Sequence, residues 1–152
     1  MSSGIVDTAP LPSLDEVVRD FGRPIVLVDD DDDFRVMFGE ALRLDGTRVI
    51  EAAGGTVAIA LLDRLARSRE DEPTLLVLDL MMPVMSGIEV LQRLRRSHRW
   101  AQLPVLVMTG VNDPMLPVML NAPVVFKPDM DVLVNAVRQN IIRSEMTSNR
   151  QA

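Results

Sequence analysis

Four places in this 152-residue sequence hold groups that could do chemistry. Val28 is followed by an unbroken acidic run, Asp29 to Asp33, and Asp79 closes the apolar stretch Leu75-Leu76-Val77-Leu78. Thr109-Gly110 ends a second apolar stretch, and Lys127 ends a third. Lys127 is also the only lysine among 16 basic residues. If Asp29, Asp30 and Asp79 share a cleft, two like charges ~4 Å apart repel by ~4 kcal/mol at an effective dielectric of 20, and a divalent cation relieves that cost. Hard oxygen ligands with no histidine or cysteine nearby suit Mg²⁺ rather than zinc. Carboxylates, a hydroxyl and one ammonium together suit transfer of a phosphoryl group to a carboxylate. An aspartate would be the nucleophile, with Mg²⁺, hydroxyl and lysine taking up the phosphoryl charge.

That chemistry requires elements that bring these residues to one edge. From Arg23 onward, short apolar runs alternate with helical patterns. The runs are Ile25 to Val28, Arg48 to Ile50, Leu75 to Leu78, Val105 to Met108 and Val124 to Phe126. Four of the five are almost wholly apolar, as strands buried on both faces are. Helical spacing appears at Phe34, Phe38, Ala41 and Leu42, and at Ile88, Leu91 and Leu94. It also appears over Thr56 to Ala66, and at Leu133, Ala136, Val137 and Ile141. Five strands alternating with helices predict a doubly wound α/β fold with a parallel sheet. In such sheets ligands bind beyond the C-terminal ends of the strands, where Asp29, Asp30, Asp79, Thr109 and Lys127 all fall.

The boundaries expected are an N-terminal tail plus short helix over 1–22, a domain over 23–143 and a tail over 144–152. Ser13-Leu14-Asp15-Glu16 is a capping box, and Leu14, Val17, Val18 and Phe21 share one helical face before Gly22. That helix reads as a cover for a domain edge, with a docking or dimerisation arm as the alternative. Cysteine is absent, which excludes a disulfide framework and a thiolate metal site. Net charge is −6 with scattered basic residues, which argues against a nucleic-acid surface. No apolar run reaches the roughly 18 residues of a membrane span, and the N-terminus lacks the pattern of a signal peptide. A cytoplasmic location is the expectation.

Several residues invite a plainer reading. Asp31, Asp32 and Asp33 precede a helix whose positive end favours anions and caps, so they read as solvated surface. His98, the only histidine, sits in a polar stretch and reads as surface. Gly54-Gly55 is a turn with no Lys-Ser/Thr after it to form a phosphate loop. The ten methionines read as core filler. Trp100 reads as a cap on an apolar edge near the fourth strand.

Taken in order, Val28-Asp29-Asp30, Asp79-Leu80-Met81-Met82-Pro83 with Gly87, Met108-Thr109-Gly110 and Lys127-Pro128 resemble the receiver domain of two-component response regulators. The resemblance runs from about Arg23 to Arg143. It implies a flavodoxin-like sheet of strand order 2-1-3-4-5, like that of chemotaxis regulators. Asp79 would be the phosphoacceptor and Asp30 a direct Mg²⁺ ligand. Asp29 would hold the metal through water, and Met81 would lend its backbone carbonyl. Thr109 would bind a phosphoryl oxygen, and Lys127 would pair with the phosphate across a cis Lys127–Pro128 bond. The implied partners are a sensor histidine kinase or a histidine phosphotransfer protein, and a downstream protein; a homodimer stays open. The domain would be a signalling phosphoacceptor, an enzyme only toward itself.

Three positions depart from the family pattern. Val124 stands where an aromatic is usual, three residues before the lysine, and Asp129 stands where an apolar aromatic often follows Lys-Pro. The stretch between Thr109 and Lys127 is short and holds Pro114, Pro117 and Pro123, so a fourth helix can hardly exceed two turns. Side chains two residues after the aspartate and after the threonine influence hydrolysis in the family; here they are Met81 and Val111. Two other functions compete. One is a haloacid-dehalogenase-like phosphatase, whose Asp-x-Asp-x-Thr/Val motif has Asp33 at its last position here. The other is an unphosphorylated pseudo-receiver scaffold.

Overall fold

The computed structural model describes residues 22–68, 71–127 and 129–150. The expected N-terminal helix over 13–21 and the Lys127–Pro128 bond lie outside the described residues. Five strands and five helices alternate along the described chain. They are β1 (Ile25–Val28), α1 (Asp32–Leu44), β2 (Val49–Ala52), α2 (Gly55–Leu65), β3 (Leu75–Asp79), α3 (Gly87–Arg96), β4 (Val105–Thr109), α4 (Leu116–Leu120), β5 (Val124–Phe126) and α5 (Met130–Arg150). Every strand pair is parallel, and the sheet order is β2-β1-β3-β4-β5. The doubly wound architecture and strand order are those the sequence predicts.

The continuous apolar runs have a direct structural cause. β1 and β3 are buried over their whole lengths because helices cover both faces of the sheet. Successive side chains point to opposite faces. Val26, Val28, Leu76 and Leu78 pack with Leu62 of α2 and with Val90 and Leu94 of α3. Ile25, Leu27, Leu75 and Val77 pack on the other side with Phe38 and Leu42 of α1 and with Leu133 and Val137 of α5. Fully burying each such side chain stabilises the fold by roughly 1.5–3 kcal/mol. This clamps the strand ends to which the polar residues are attached.

Caps fix where two helices begin. The Asp31 side chain accepts from the Phe34 N–H at 3.1 Å, and Ser86 accepts from the Glu89 N–H at 3.3 Å. α4 is a single five-residue turn of helix with Pro117 in it, and it ends on Asn121 at φ 47°. Its brevity agrees with the limit set by the prolines, since proline is tolerated only in a first turn.

Three expectations need correction. β2 runs from Val49 to Ala52 rather than from Arg48 to Ile50, because the side chain of Glu51 is held by Arg35 and Arg43 and so joins the sheet despite its charge. α5 continues to Arg150, through residues expected as a tail. No glycine or proline stops it, and Ser144 and Thr147 donate hydroxyls to carbonyls of Thr74 and Arg143. The methionines divide: Met82, Met85 and Met108 are buried, whereas Met37, Met81, Met115, Met119 and Met146 are exposed on outward faces. His98 is exposed, and Trp100 is buried against the core between α3 and β4.

Candidate functional site

Strand register sets the site. Val28 of β1 pairs with Leu78 of β3, so Asp29 and Asp79 emerge side by side, one residue beyond that pair. Asp79 in turn pairs with Met108, which puts Thr109 at the end of the next strand over. Thr109 pairs with Phe126, and Lys127 follows directly, its N–H donating to the Thr109 carbonyl at 2.9 Å. Four residues widely separated in sequence thus reach one sheet edge.

Asp29, Asp30 and Asp79 each offer a carboxylate oxygen, and the three oxygens lie within 4.8 Å of one another. Asp29 is fully buried, Asp79 nearly so, and Asp30 is exposed. A buried carboxylate with a second one beside it calls for cationic or N–H partners. Asp29 has them: its Oδ1 accepts from the Asp31 N–H at 2.9 Å, and its Oδ2 accepts from the Lys127 ammonium at 2.6 Å. The same ammonium lies 3.5 Å from Asp79 Oδ1. Burial pushes the Asp79 carboxyl up to about 6; the charge of Asp29 adds to the rise, and Lys127 opposes it.

The loop after Asp79 is built to bring that residue close to α3. Gly87 donates its N–H to the Leu80 carbonyl at 2.9 Å, and a Cβ at Gly87 would stand 2.3 Å from the Asp79 carbonyl oxygen. Only glycine allows this approach. Between them the Met85 N–H donates to the Pro83 carbonyl at 2.8 Å across Val84, whose φ is 67°. A β-branched residue there is strained, and Val84 is almost wholly exposed. Met81 also turns its side chain outward, at 67% exposure. The Thr109 hydroxyl accepts from the Val111 N–H at 3.0 Å, which orients the oxygen and leaves its proton free to donate.

Sequence reasoning missed Arg35. Its Nη1 donates to the Asp29 carbonyl at 2.7 Å, its Nη2 pairs with Asp32 at 2.6 Å, and its Nε lies 3.3 Å from Glu51 Oε1. Glu51 also pairs with Arg43 at 2.9 Å. This chain of charges ties β1, α1 and β2 together beneath the acidic cluster. Arg35 falls three residues after Asp32, a helical pairing distance that could have flagged it. Its grip on Asp29 and Glu51 depends on packing of β1 and β2 that no local pattern encodes. Asp31, Asp32 and Asp33 are exposed at the start of α1 and outside the three-carboxylate cluster, as their plainer reading has it.

The arrangement is a buried carboxylate beside an ammonium, two further carboxylates able to hold a hard cation, and a hydroxyl donor. The sequence pattern of the response regulator receiver domain matches residues 25–138. The chain belongs to the response regulator receiver family. It is similar to the transcriptional regulatory protein AfsQ1 of Streptomyces coelicolor, with 39% identity over 89 residues, 59% of this chain and 36% of that protein. It is likewise similar to the transcriptional regulatory protein CpxR of Escherichia coli, with 41% identity over 86 residues, 57% of this chain and 33% of that one. The chain thus spans about a third of the length of these curated relatives. A solved response regulator receiver protein from Pseudomonas putida superposes with a TM-score of 0.64 at 28% identity, covering 77% of this chain and 97% of that one. The chemotaxis protein CheY4 of Vibrio cholerae superposes at 0.66 with 24% identity over 77% and 97% of the two chains, a likeness of fold. This receiver is a signalling domain of two-component systems, and the phosphatase alternative draws no support from these matches.

Proposed function

We propose that this receiver accepts a phosphoryl group on Asp79 and signals through protein contact. One observation carries the reading. Asp79 is a buried carboxylate 3.5 Å from the Lys127 ammonium, in a cluster with Asp29 and Asp30. An Asp79 oxygen attacks phosphorus as the bond from phosphorus to the donor nitrogen or oxygen breaks, and the electron pair leaves with the donor. Asp29 and Asp30, with an Asp79 oxygen and the Met81 carbonyl, would hold Mg²⁺, which when bound supplies positive charge against the phosphoryl oxygens. Lys127, already 3.5 Å from Asp79 Oδ1, pairs with the phosphoryl group, and the Thr109 hydroxyl donates to a phosphoryl oxygen. Turnover is limited to self-phosphorylation and self-dephosphorylation. The donor fitting this chemistry is a sensor histidine kinase or a histidine phosphotransfer protein, and the receiver of the signal is a downstream protein. The domain is taken as residues 23–143, with α5 extending beyond it to Arg150.

Incubation with acetyl phosphate and Mg²⁺ tests the reading. Intact-mass measurement is expected to show one added phosphoryl group, absent in Asp79→Asn. An adduct that persists in that variant assigns the nucleophile elsewhere. Release of inorganic phosphate over many turnovers, without a lasting adduct, would favour the phosphatase chemistry instead.

A further inference from the structure

The Lys127 stem carries the only ammonium among the side chains, and it must point reliably. Lysine is a point charge on a flexible four-carbon stem, so its direction has to be imposed from outside. Here the danger of misdirection is unusual. Asp31, Asp32 and Asp33 follow directly on the two cluster acids and are all exposed; Asp31 caps α1 and Asp32 pairs with Arg35 through one oxygen each, which leaves a second carboxylate oxygen on both as an acceptor for a cation. β5, which precedes the lysine, is only three residues long and sits at the edge of the sheet. One contact addresses this problem. The Lys127 ammonium stands 4.3 Å from the centre of the Phe34 ring. That ring is held in turn by Phe38, 5.8 Å away and tilted by 44°, whose side chain is fully buried.

We propose that Phe34 is a positioning residue for Lys127: its ring face holds the ammonium against Asp29 and Asp79 and away from the exposed aspartates. The proposal rests on the phosphoacceptor reading for its consequence and on the ring geometry for its substance. The negative face of an aromatic ring attracts a cation, and more strongly where water is excluded. Lys127 is 20% exposed and its partner Asp29 not at all, so the contact is largely shielded. Phe34 itself need touch neither metal nor phosphoryl group. It acts through the lysine, by lowering the number of directions in which the stem can point.

The unique lysine makes the test clean, because isotopically labelled lysine gives one set of side-chain signals. In the intact chain the two ε-methylene protons are expected to be distinct and shifted by the ring. In Phe34→Leu, which keeps an apolar side chain but removes the face, they should merge toward a freely rotating lysine. Phe34→Tyr, which keeps the face, should restore the splitting. With acetyl phosphate at saturating Mg²⁺, Phe34→Leu should form the adduct about fivefold more slowly, and Phe34→Tyr should recover the rate. Mg²⁺ affinity should be similar in all three. The proposal is overturned if Phe34→Leu keeps distinct methylene protons, or if Phe34→Tyr loses them. Should Phe34→Leu fail to fold, ring-fluorinated phenylalanine at position 34 keeps the shape and weakens the face. A graded loss of splitting then supports the proposal, and an unchanged spectrum refutes it. If the intact chain forms no adduct, the phosphoacceptor reading fails, and the lysine spectrum still decides the role of Phe34.

Discussion

Asp79 works against folding at neutral pH. Burial, with the charge of Asp29, raises its carboxyl from an ordinary 3.8 to about 6. The folded protein therefore binds this proton more tightly than the unfolded chain does. Stability from this group falls as pH rises from about 4 to about 6 and stays low above that. The full penalty is on the order of 3 kcal/mol. In metal-free buffer Asp79→Asn is expected to be more stable than the native chain at pH 7, with the gain disappearing near pH 4. Urea unfolding at the two pH values checks this, and an equal gain at both would remove Asp79 from the account. A second expectation concerns the lifetime of the adduct. Met81 and Val111 are apolar and exposed, so neither can orient an attacking water by hydrogen bonding. Hydrolysis should be slow, with the adduct lasting many minutes or longer when followed by intact mass. Decay within seconds would point to a water-orienting group elsewhere.

At the scale of elements, α4 and its approaches stand apart. Gly110 to Asp113 form no regular structure, and α4 has one turn, so among the described residues the backbone-to-backbone hydrogen bonds donated within residues 110–123 come only from Leu116 onward. Such segments open at low free-energy cost. Val124 is β-branched and stiff at its first torsion, and it fills the position where an aromatic would swing. Phosphorylation is therefore expected to order this segment rather than flip a side chain. Hydrogen exchange with and without beryllofluoride should show protection concentrated in 110–123; change confined to α1 would place the response elsewhere. How far elements were legible in the sequence follows their packing. β1 and β3 were plain because both faces are buried, and so were the acids that end them. The start and end of β2 were not, because Glu51 is made compatible with a strand only by Arg35 and Arg43. The last turns of α5 are polar and carry no apolar period. The contacts of Lys127 with Asp29 and Phe34 were hidden for another reason: they join positions more than ninety residues apart, 98 in the case of Asp29. They exist only once β5 lies beside β4.

For the molecule as a whole, the two ends of the sheet are chemically different. The C-terminal edge carries the acids, the lysine and the threonine. At the other end, a cavity of about 600 Å³ is lined by Leu94, Trp100, Pro104, Ala122 and Asn140, with none of the acidic cluster in it. Among the described residues no helix is long and apolar enough to cross a membrane. Trp100 is buried at that far end, before β4 begins, with the Arg99 guanidinium 5.4 Å over its ring. The five residues of β4 put roughly 16 Å of strand between it and Thr109. The chain has one tryptophan and no tyrosine, so its near-ultraviolet emission comes from this one indole. The protein thus carries an optical probe that watches the fold from the end of the sheet opposite the chemistry. Emission should shift cooperatively through a urea transition, stay unchanged when Mg²⁺ alone is added to the native protein, and change with beryllofluoride if the ordering of 110–123 reaches Ala122, which lines the same cavity as Trp100. A change on Mg²⁺ alone would mean that events at the acidic edge travel the length of the sheet.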